Sequence, residues 1–193
     1  MKSQVTTRRG DAGQTTSLSG ARYSKGHPIM ECVGTLDELR AHLALLRLEI
    51  AASGRPDAEA LAGFTQWLMH LCFPLGSALS DPENARAERH PTVLTAAHLE
   101  RLEQEQDRLE KQTPLPHAFV SGATNTAAAR ADIACAVARR LERETVRLVE
   151  QVPACDAKRI LAFLNRLSDF LFILARHLED GDHITVDYGQ LGP

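Results

Sequence analysis

The chain has 193 residues, 44% of them hydrophobic, with only 5% aromatic side chains and a formal net charge of −3. This length suits a single domain over residues 1–193, and the abundance of Ala, Leu, Glu and Arg favours helices over sheets. The slightly acidic balance gives no reason to expect nucleic acid or an anionic membrane as a partner. The absence of a long apolar run and the wide spacing of the four cysteines lead us to expect a cytoplasmic protein without membrane spans.

The chain starts with a polar segment, residues 6–25, that combines glycines, hydroxyl side chains and basic residues. Backbone amides at glycine, hydroxyl donors and cationic side chains are the groups that bind a polyphosphate. The GxxxxGK[ST] spacing of a P-loop is absent. A polar N-terminus with several glycines is also typical of a flexible arm, so the residues alone leave both interpretations open.

The rest of the chain predicts an all-α bundle of about five helices over residues 35–180. The first helix is predicted to begin with a capping box, with Thr35 as N-cap and Glu38 at the third helical position. Leucines at three- and four-residue steps continue this helix. Further helices are predicted over residues 58–79, from Thr95 to before Pro114, over 125–151 and over 156–179, with an extended segment at 184–186. Ile133 is predicted to face the core from the fourth helix.

Two of these helices carry a polar face. The fourth places Arg139, Glu142 and Arg143 at helical spacing, and the fifth carries a polar stripe from Asn165 to Arg176 beside its leucines. Taken alone, each face is better explained as solvent-exposed surface with ion pairs than as a binding site. Asn165 stands out, because asparagine is unfavourable in the middle of a helix and could instead bind a ribose or a base.

Four segments together resemble the ATP:corrinoid adenosyltransferases of the PduO type. They are the loop TxxGDxGxTT, GTLDEL, VARRLER and FLNRLSDFLFILAR, which occur in the family's order across nearly the whole chain. The resemblance implies a five-helix bundle with a nucleotide-binding loop over residues 1–25, forming a homotrimer with active sites between subunits. It implies transfer of the 5′-deoxyadenosyl group of ATP to cob(I)alamin or a related cob(I) corrinoid, with Mg2+ as cofactor. A corrinoid reductase and an adenosylcobalamin-dependent enzyme are the implied protein partners.

The resemblance also assigns the site residues. The loop residues expected to bind ATP are Thr7, Arg8, Arg9, Gly10, Asp11, Gly13, Thr15, Thr16 and Lys25. The helix residues expected to bind ATP are Arg139, Arg140, Glu142, Arg143 and Asn165. Lys25 and Arg139 are expected to be catalytic, because they would stabilise negative charge on the leaving triphosphate. Phe119 is expected to exclude the lower axial ligand of the corrinoid, its alternative being a core residue at the entry to the fourth helix. No metal-ligating side chain is expected.

The corrinoid side departs from the family pattern. Cys135 stands where the family has an arginine that pairs with the aspartate matching Asp37 on a neighbouring subunit, and Arg130 and Arg40 are candidates to replace it. Residues 120–125 replace a proline-glycine-glycine turn. These changes leave a non-catalytic ATP-binding paralogue, acting as a sensor or corrinoid-delivery protein, as the alternative function. A helical assembly module with a disordered loop is a further alternative.

Overall fold

The computed structural model describes residues 6–89, 93–152, 155 and 157–192. Within these residues the helices are α1 (Pro28–Ala52), α2 (Ala58–Ser80), α3 (Ala96–Glu110), α4 (Thr126–Gln151) and α5 (Lys158–Leu178). The strands are β1 (Gln14–Thr16), β2 (Arg22–Ser24), β3 (Val120–Gly122) and β4 (Ile184–Thr185), and short 3-10 helices occupy Ala87–Arg89 and Tyr188–Leu191. The prediction of five helices is therefore confirmed. The chain is predominantly helical, and the short strands pair as two antiparallel ribbons, β1 with β2 and β3 with β4.

The helices pack around one apolar core. α1 contacts α2 and α4, and α5 contacts α4 and α3. The leucines that the sequence places at three- and four-residue steps are buried, from Leu36 to Ile50 on α1 and from Ile160 to Leu178 on α5. No helix in the described ranges is long and apolar enough to cross a membrane.

The start of α1 corrects the predicted capping box. His27 is the N-cap, and its Nδ1 accepts a hydrogen bond from the Ile29 amide at 3.2 Å. Pro28 is the first helical residue, a position where its fixed φ favours the helix and its missing N–H costs nothing. Thr35 is buried within the helix, so the prediction that it caps the helix is wrong. The predicted cap at Thr95 is confirmed for α3.

α4 packs through small residues in its first half and through Val137, Leu141 and Leu148 further along, but not through Ile133. Ala131, Ala134 and Ala138 are all fully buried, whereas Ile133 is 39% exposed, so its predicted core position is wrong. Alanines let neighbouring helix backbones approach closely, and this closeness fixes which face of α4 points inward. The inward face is therefore turned away from the bulkier isoleucine.

Candidate functional site

Residues 6–25 contain an antiparallel ribbon rather than the structureless arm that the sequence left open. β1 pairs with β2 in the register Gln14–Ser24, Thr15–Tyr23 and Thr16–Arg22. Gly13 adopts a positive φ of 77°, which favours glycine, and its carbonyl accepts a hydrogen bond from the Lys25 amide at 2.9 Å. At the other end of the ribbon, the Leu18 amide donates to Ser80 Oγ at 2.9 Å. The ribbon is thus attached to the end of α2.

The ribbon and the turn before it surround a pocket of about 700 Å3. Its lining residues are Thr7, Arg9, Gly10, Gln14, Thr15, Thr16, Arg22 and Lys25. The lining combines cationic and hydroxyl side chains and contains no carboxylate, so it suits a multiply charged anion. A Cβ on Gly10 would lie 3.1 Å from Lys25 Nζ. Glycine at this position therefore leaves room for the lysine beside the pocket.

Only some of the predicted loop residues line the ribbon pocket. Arg8, Asp11 and Gly13 lie in the turn before β1 but do not line the pocket. Conversely, the lining includes Gln14 and Arg22, which were not among the predicted site residues. The signal for them lay in the strand pairing, because the register puts the two residues on one face of the ribbon with Thr16.

A second polar group lies on α4 and α5. Glu142 Oε1 accepts a hydrogen bond from Asn165 Nδ2 at 3.3 Å, and Arg143 Nη1 donates to the Arg139 carbonyl at 3.1 Å. Arg139, Arg143 and Asn165 are exposed. The structure therefore brings these predicted residues together on one surface, which we call the α4–α5 face.

Arg140 points away from that surface and forms an ion pair with Glu38 of α1. The hydrogen bond from Arg140 lowers the pKa of the Glu38 carboxyl below its usual range. The lining of the ribbon pocket includes no residue of α4 or α5. The ribbon pocket and the α4–α5 face therefore share no residue within one chain.

Phe119 lies just before β3 and is 76% exposed. Its alternative role as a core residue entering α4 is therefore wrong. Its carbonyl accepts a hydrogen bond from the Val186 amide at 2.7 Å, which extends the β3–β4 ribbon by one contact. Asn125 ends the segment that we expect to replace the family's turn, and its side chain caps α4 by accepting from the Ala128 amide at 2.9 Å.

Cys135 is a buried thiol whose Sγ donates to the Ser168 carbonyl at 3.2 Å, and burial raises the pKa of this thiol. Asp37 is paired within its own chain, because Arg40 Nη2 lies 2.9 Å from its Oδ1. Of the two candidate replacements, Arg40 is therefore the one that contacts Asp37. The Arg40 guanidinium also stacks on the exposed ring of Phe73, 4.9 Å from its centroid.

The fold is that of the PduO-type adenosyltransferases. A PduO-type ATP:corrinoid adenosyltransferase variant from Lactobacillus reuteri, solved with cobalamin and ATP, superimposes with a TM-score of 0.79 and 25% identity over 93% of this chain and 97% of that chain. Another variant of that protein gives a TM-score of 0.82 at 24% identity, over 96% of this chain and 97% of that chain.

Comparison of the sequence with known proteins identifies the family as well as the fold. Residues 5–178 match the pattern of the cobalamin adenosyltransferase family. The corrinoid adenosyltransferase MMAB of Bos taurus is 36% identical over 90% of this chain and 70% of its own length. The cobalamin adenosyltransferase of Cupriavidus metallidurans is 34% identical over 91% and 88%, and PduO of Salmonella typhimurium is 36% identical over 92% and 50%. The chain therefore belongs to the cobalamin adenosyltransferase family, a family of enzymes, and the resemblance in its motifs is confirmed.

Proposed function

We propose that this chain transfers the 5′-deoxyadenosyl group of ATP to the cobalt of cob(I)alamin or a related cob(I) corrinoid. The observation that carries the proposal is the carboxylate-free, cation-lined pocket of the β1–β2 ribbon. In the reaction, the cobalt(I) lone pair attacks C5′ and forms the cobalt–carbon bond. The C5′–O bond breaks, its electron pair leaves with triphosphate, and the cobalt becomes formally cobalt(III). Because the metal of the substrate is the nucleophile, the protein needs no activated serine, cysteine or base.

The N-terminal ribbon would bind the triphosphate. Lys25, Arg9 and Arg22 line the pocket and would neutralise the charge that grows on the leaving group. Thr15 and Thr16 would donate hydrogen bonds to the phosphates. The remaining predicted loop residues, Thr7, Arg8, Gly10, Asp11 and Gly13, would shape the turn around the phosphates.

Mg2+ fits this chemistry as an ion carried largely by the nucleotide. The described residues contain no group of three or more His, Cys, Asp or Glu side chains arranged to hold a metal. The pocket lining offers hydroxyl and amide oxygens, such as those of Thr16 and Gln14. Mg2+ usually keeps several waters and binds substrate phosphates with few protein ligands. Bound in this way, it would add positive charge at the triphosphate.

We infer that the α4–α5 face meets the ribbon of a neighbouring subunit in a homotrimer. Arg139 and Arg143 are exposed and form no ion pair among the described residues, and Asn165 lies beside Glu142 on the same surface. These groups suit the ribose and phosphates of ATP, but they do not line the pocket of their own chain. A second copy would supply the missing half of each site.

Phe119 would occupy the lower face of the corrinoid. Its exposed ring is available to displace the lower axial ligand and to exclude water from the cobalt. Loss of that ligand makes cob(II) easier to reduce, and a separate reductase would supply the electron. All four cysteines are buried free thiols, which supports a reducing compartment such as the cytoplasm.

The test is an anaerobic assay with chemically reduced cob(I)alamin, ATP and Mg2+, followed by the corrinoid absorption spectrum. Formation of a light-sensitive cobalt–carbon product that requires ATP is the expected result. A matched reaction with Lys25→Ala should give much less product. Clear ATP binding without product would instead favour the non-catalytic paralogue, whose support is the altered corrinoid side at Cys135.

A further inference from the structure

The end of α5 holds a fully buried carboxylate, that of Glu179, whose side chain is 0% exposed. Arg176, itself 2% exposed, lies with Nε 2.9 Å from Glu179 Oε2 and donates from Nη2 to Oε1 at 3.1 Å. The same Nη2 donates to Asp132 of α4 at 2.9 Å. The sequence pattern favoured a solvent-exposed position for Arg176, and that prediction is wrong.

The same carboxylate contacts the chain segment that follows β3 and the segment that precedes β4. Thr124, two residues beyond β3, donates its amide to Glu179 Oε1 at 3.3 Å. His183, immediately before β4, places Nδ1 2.6 Å from Glu179 Oε2. The other ring nitrogen of His183 lies 3.1 Å from the carbonyl of Pro114, on the segment that approaches β3. Two chain segments therefore contact Glu179 directly, and a third is linked to it through His183.

The side chains of the β3–β4 ribbon contribute little to the core. Ile184 is 52% exposed, and Phe119 at the start of the ribbon is 76% exposed, so neither side chain is packed in the core. The position of Phe119 depends on backbone contacts, chiefly the 2.7 Å hydrogen bond from the Val186 amide to its carbonyl. Those contacts depend on the segments that Glu179 holds and on Asn125, whose Nδ2 donates to the Leu178 carbonyl at 2.8 Å.

We propose that Glu179, with Arg176 and His183, positions Phe119 for the corrinoid through the β3–β4 ribbon. These three are positioning residues, since none of them contacts the reacting atoms. The inference rests on the proposed function only for the role of Phe119, because the link from Glu179 to the ribbon is a property of the protein alone. Burial matters, because a carboxylate out of water binds its charged donors far more tightly than an exposed one.

The test compares His183→Ala and Glu179→Gln with Asp57→Asn as matched control. Asp57 joins Arg55 and His177 at the same end of the bundle, at 3.0 and 2.7 Å, but does not contact the ribbon. Hydrogen exchange of the peptides around residues 117–123 and 184–187 is measured on each whole protein without ligands. We expect exchange there to be about tenfold faster in His183→Ala and Glu179→Gln, and within about twofold of wild type in Asp57→Asn.

The consequence for the reaction is measured on the same proteins. Turnover with cob(I)alamin should fall about tenfold or more in His183→Ala, while the KM for ATP stays within about twofold. Bound cob(II)alamin, followed by its absorption spectrum, should show a smaller fraction with the lower ligand released. Because Glu179→Gln leaves buried donors around a neutral amide and could fail to fold, His183→Ala decides the outcome on its own.

Equal exchange in His183→Ala and Asp57→Asn would overturn the inference, since His183 would then support the fold without controlling the ribbon. A loss of ATP affinity as large as the loss of turnover would also overturn it. Failure of the wild-type protein to make product would count against the proposed function instead, and the exchange result would still decide whether Glu179 fixes the ribbon.

Discussion

Arginine side chains occur both in the β1–β2 ribbon and at the end of α5, but in opposite surroundings. In the ribbon pocket, Arg9 and Arg22 face a lining without carboxylates. At the end of α5, Arg176 is buried between the carboxylates of Glu179 and Asp132. Cations without an internal partner are available for a ligand, whereas cations with buried partners stabilise the fold. The distinction separates residues whose loss should impair binding from those whose loss should impair stability.

The largest expected effect on stability is that of Arg176→Met. It leaves Glu179 buried without its main partner, which should cost about 3–5 kcal/mol. In a chain of this size that lowers Tm by roughly 2–4 °C for each kcal/mol. Thermal denaturation checks the loss, with Arg166→Met as control, because Arg166 pairs with the half-exposed Glu103 and Asp169. Similar losses in both variants would show that burial of the Arg176–Glu179 ion pair does not increase its contribution to stability.

Lys25→Ala and Arg139→Ala should have the largest effects on ATP binding. Each removes a cation proposed to bind phosphate, and a charged hydrogen bond contributes about 1.5–3 kcal/mol. The Kd for ATP should therefore rise roughly tenfold to a hundredfold. Tm without ligand should change little, because both side chains are exposed. Calorimetric titration measures the affinity, with the exposed Lys111→Ala as control, and unchanged affinity in both variants would refute the site assignment.

A smaller effect is expected from Asp57→Asn, and it should depend on pH. Burial alone would raise the pKa of Asp57, but hydrogen bonds from His177 and Arg55 outweigh it and hold the pKa below its usual value. The stability that Asp57 contributes is therefore present above its unfolded pKa of about 3.9 and is lost as pH falls through the folded value. Near pH 7 the variant should lose about 1–3 kcal/mol.

The measurement is Tm against pH from about 2 to 7 for wild type and Asp57→Asn. The two curves should converge at the acid end, where protonation of Asp57 removes the same interactions that the substitution removes. Curves that stay parallel would mean that the carboxylate's charge does not stabilise the fold.

The smallest effect on ATP binding is expected from Cys135→Arg, which introduces the arginine that the resemblance implies at this position. Because Arg40 already lies 2.9 Å from Asp37, a further arginine has little charge left to neutralise. ATP affinity should stay within about twofold, and turnover should be unchanged or improved. Titration with ATP and the cob(I)alamin assay measure the two quantities. A strong fall in turnover would show that an arginine is not tolerated at this buried position.

The helices could be predicted because their signals are local. The leucine spacing of α5 and the cap at Thr95 each depend on neighbouring residues only. The start of α1 was missed for the same reason, since Thr35 and Glu38 have the letters of a capping box but lie inside a helix that Pro28 begins earlier. A local pattern shows where a helix can start and not where it does.

The candidate site could be predicted only in part, because part of it depends on pairing between distant residues. The glycines, threonines and cations of the loop are visible in the sequence. The register that places Gln14 and Arg22 on one face of a ribbon is not, and neither is the convergence of Thr124 and His183 on Glu179. Both require knowing which segments meet.

The burial of all four native thiols has a practical consequence. Burial raises the pKa of Cys32 and Cys72 to about 12, so these sulfurs are almost entirely unionised at neutral pH and react poorly with alkylating reagents. A cysteine introduced at an exposed position such as Ala12 would then be labelled selectively, without first replacing the native four. A fluorophore there would report whether the N-terminal loop responds to added ATP, as the proposed site requires.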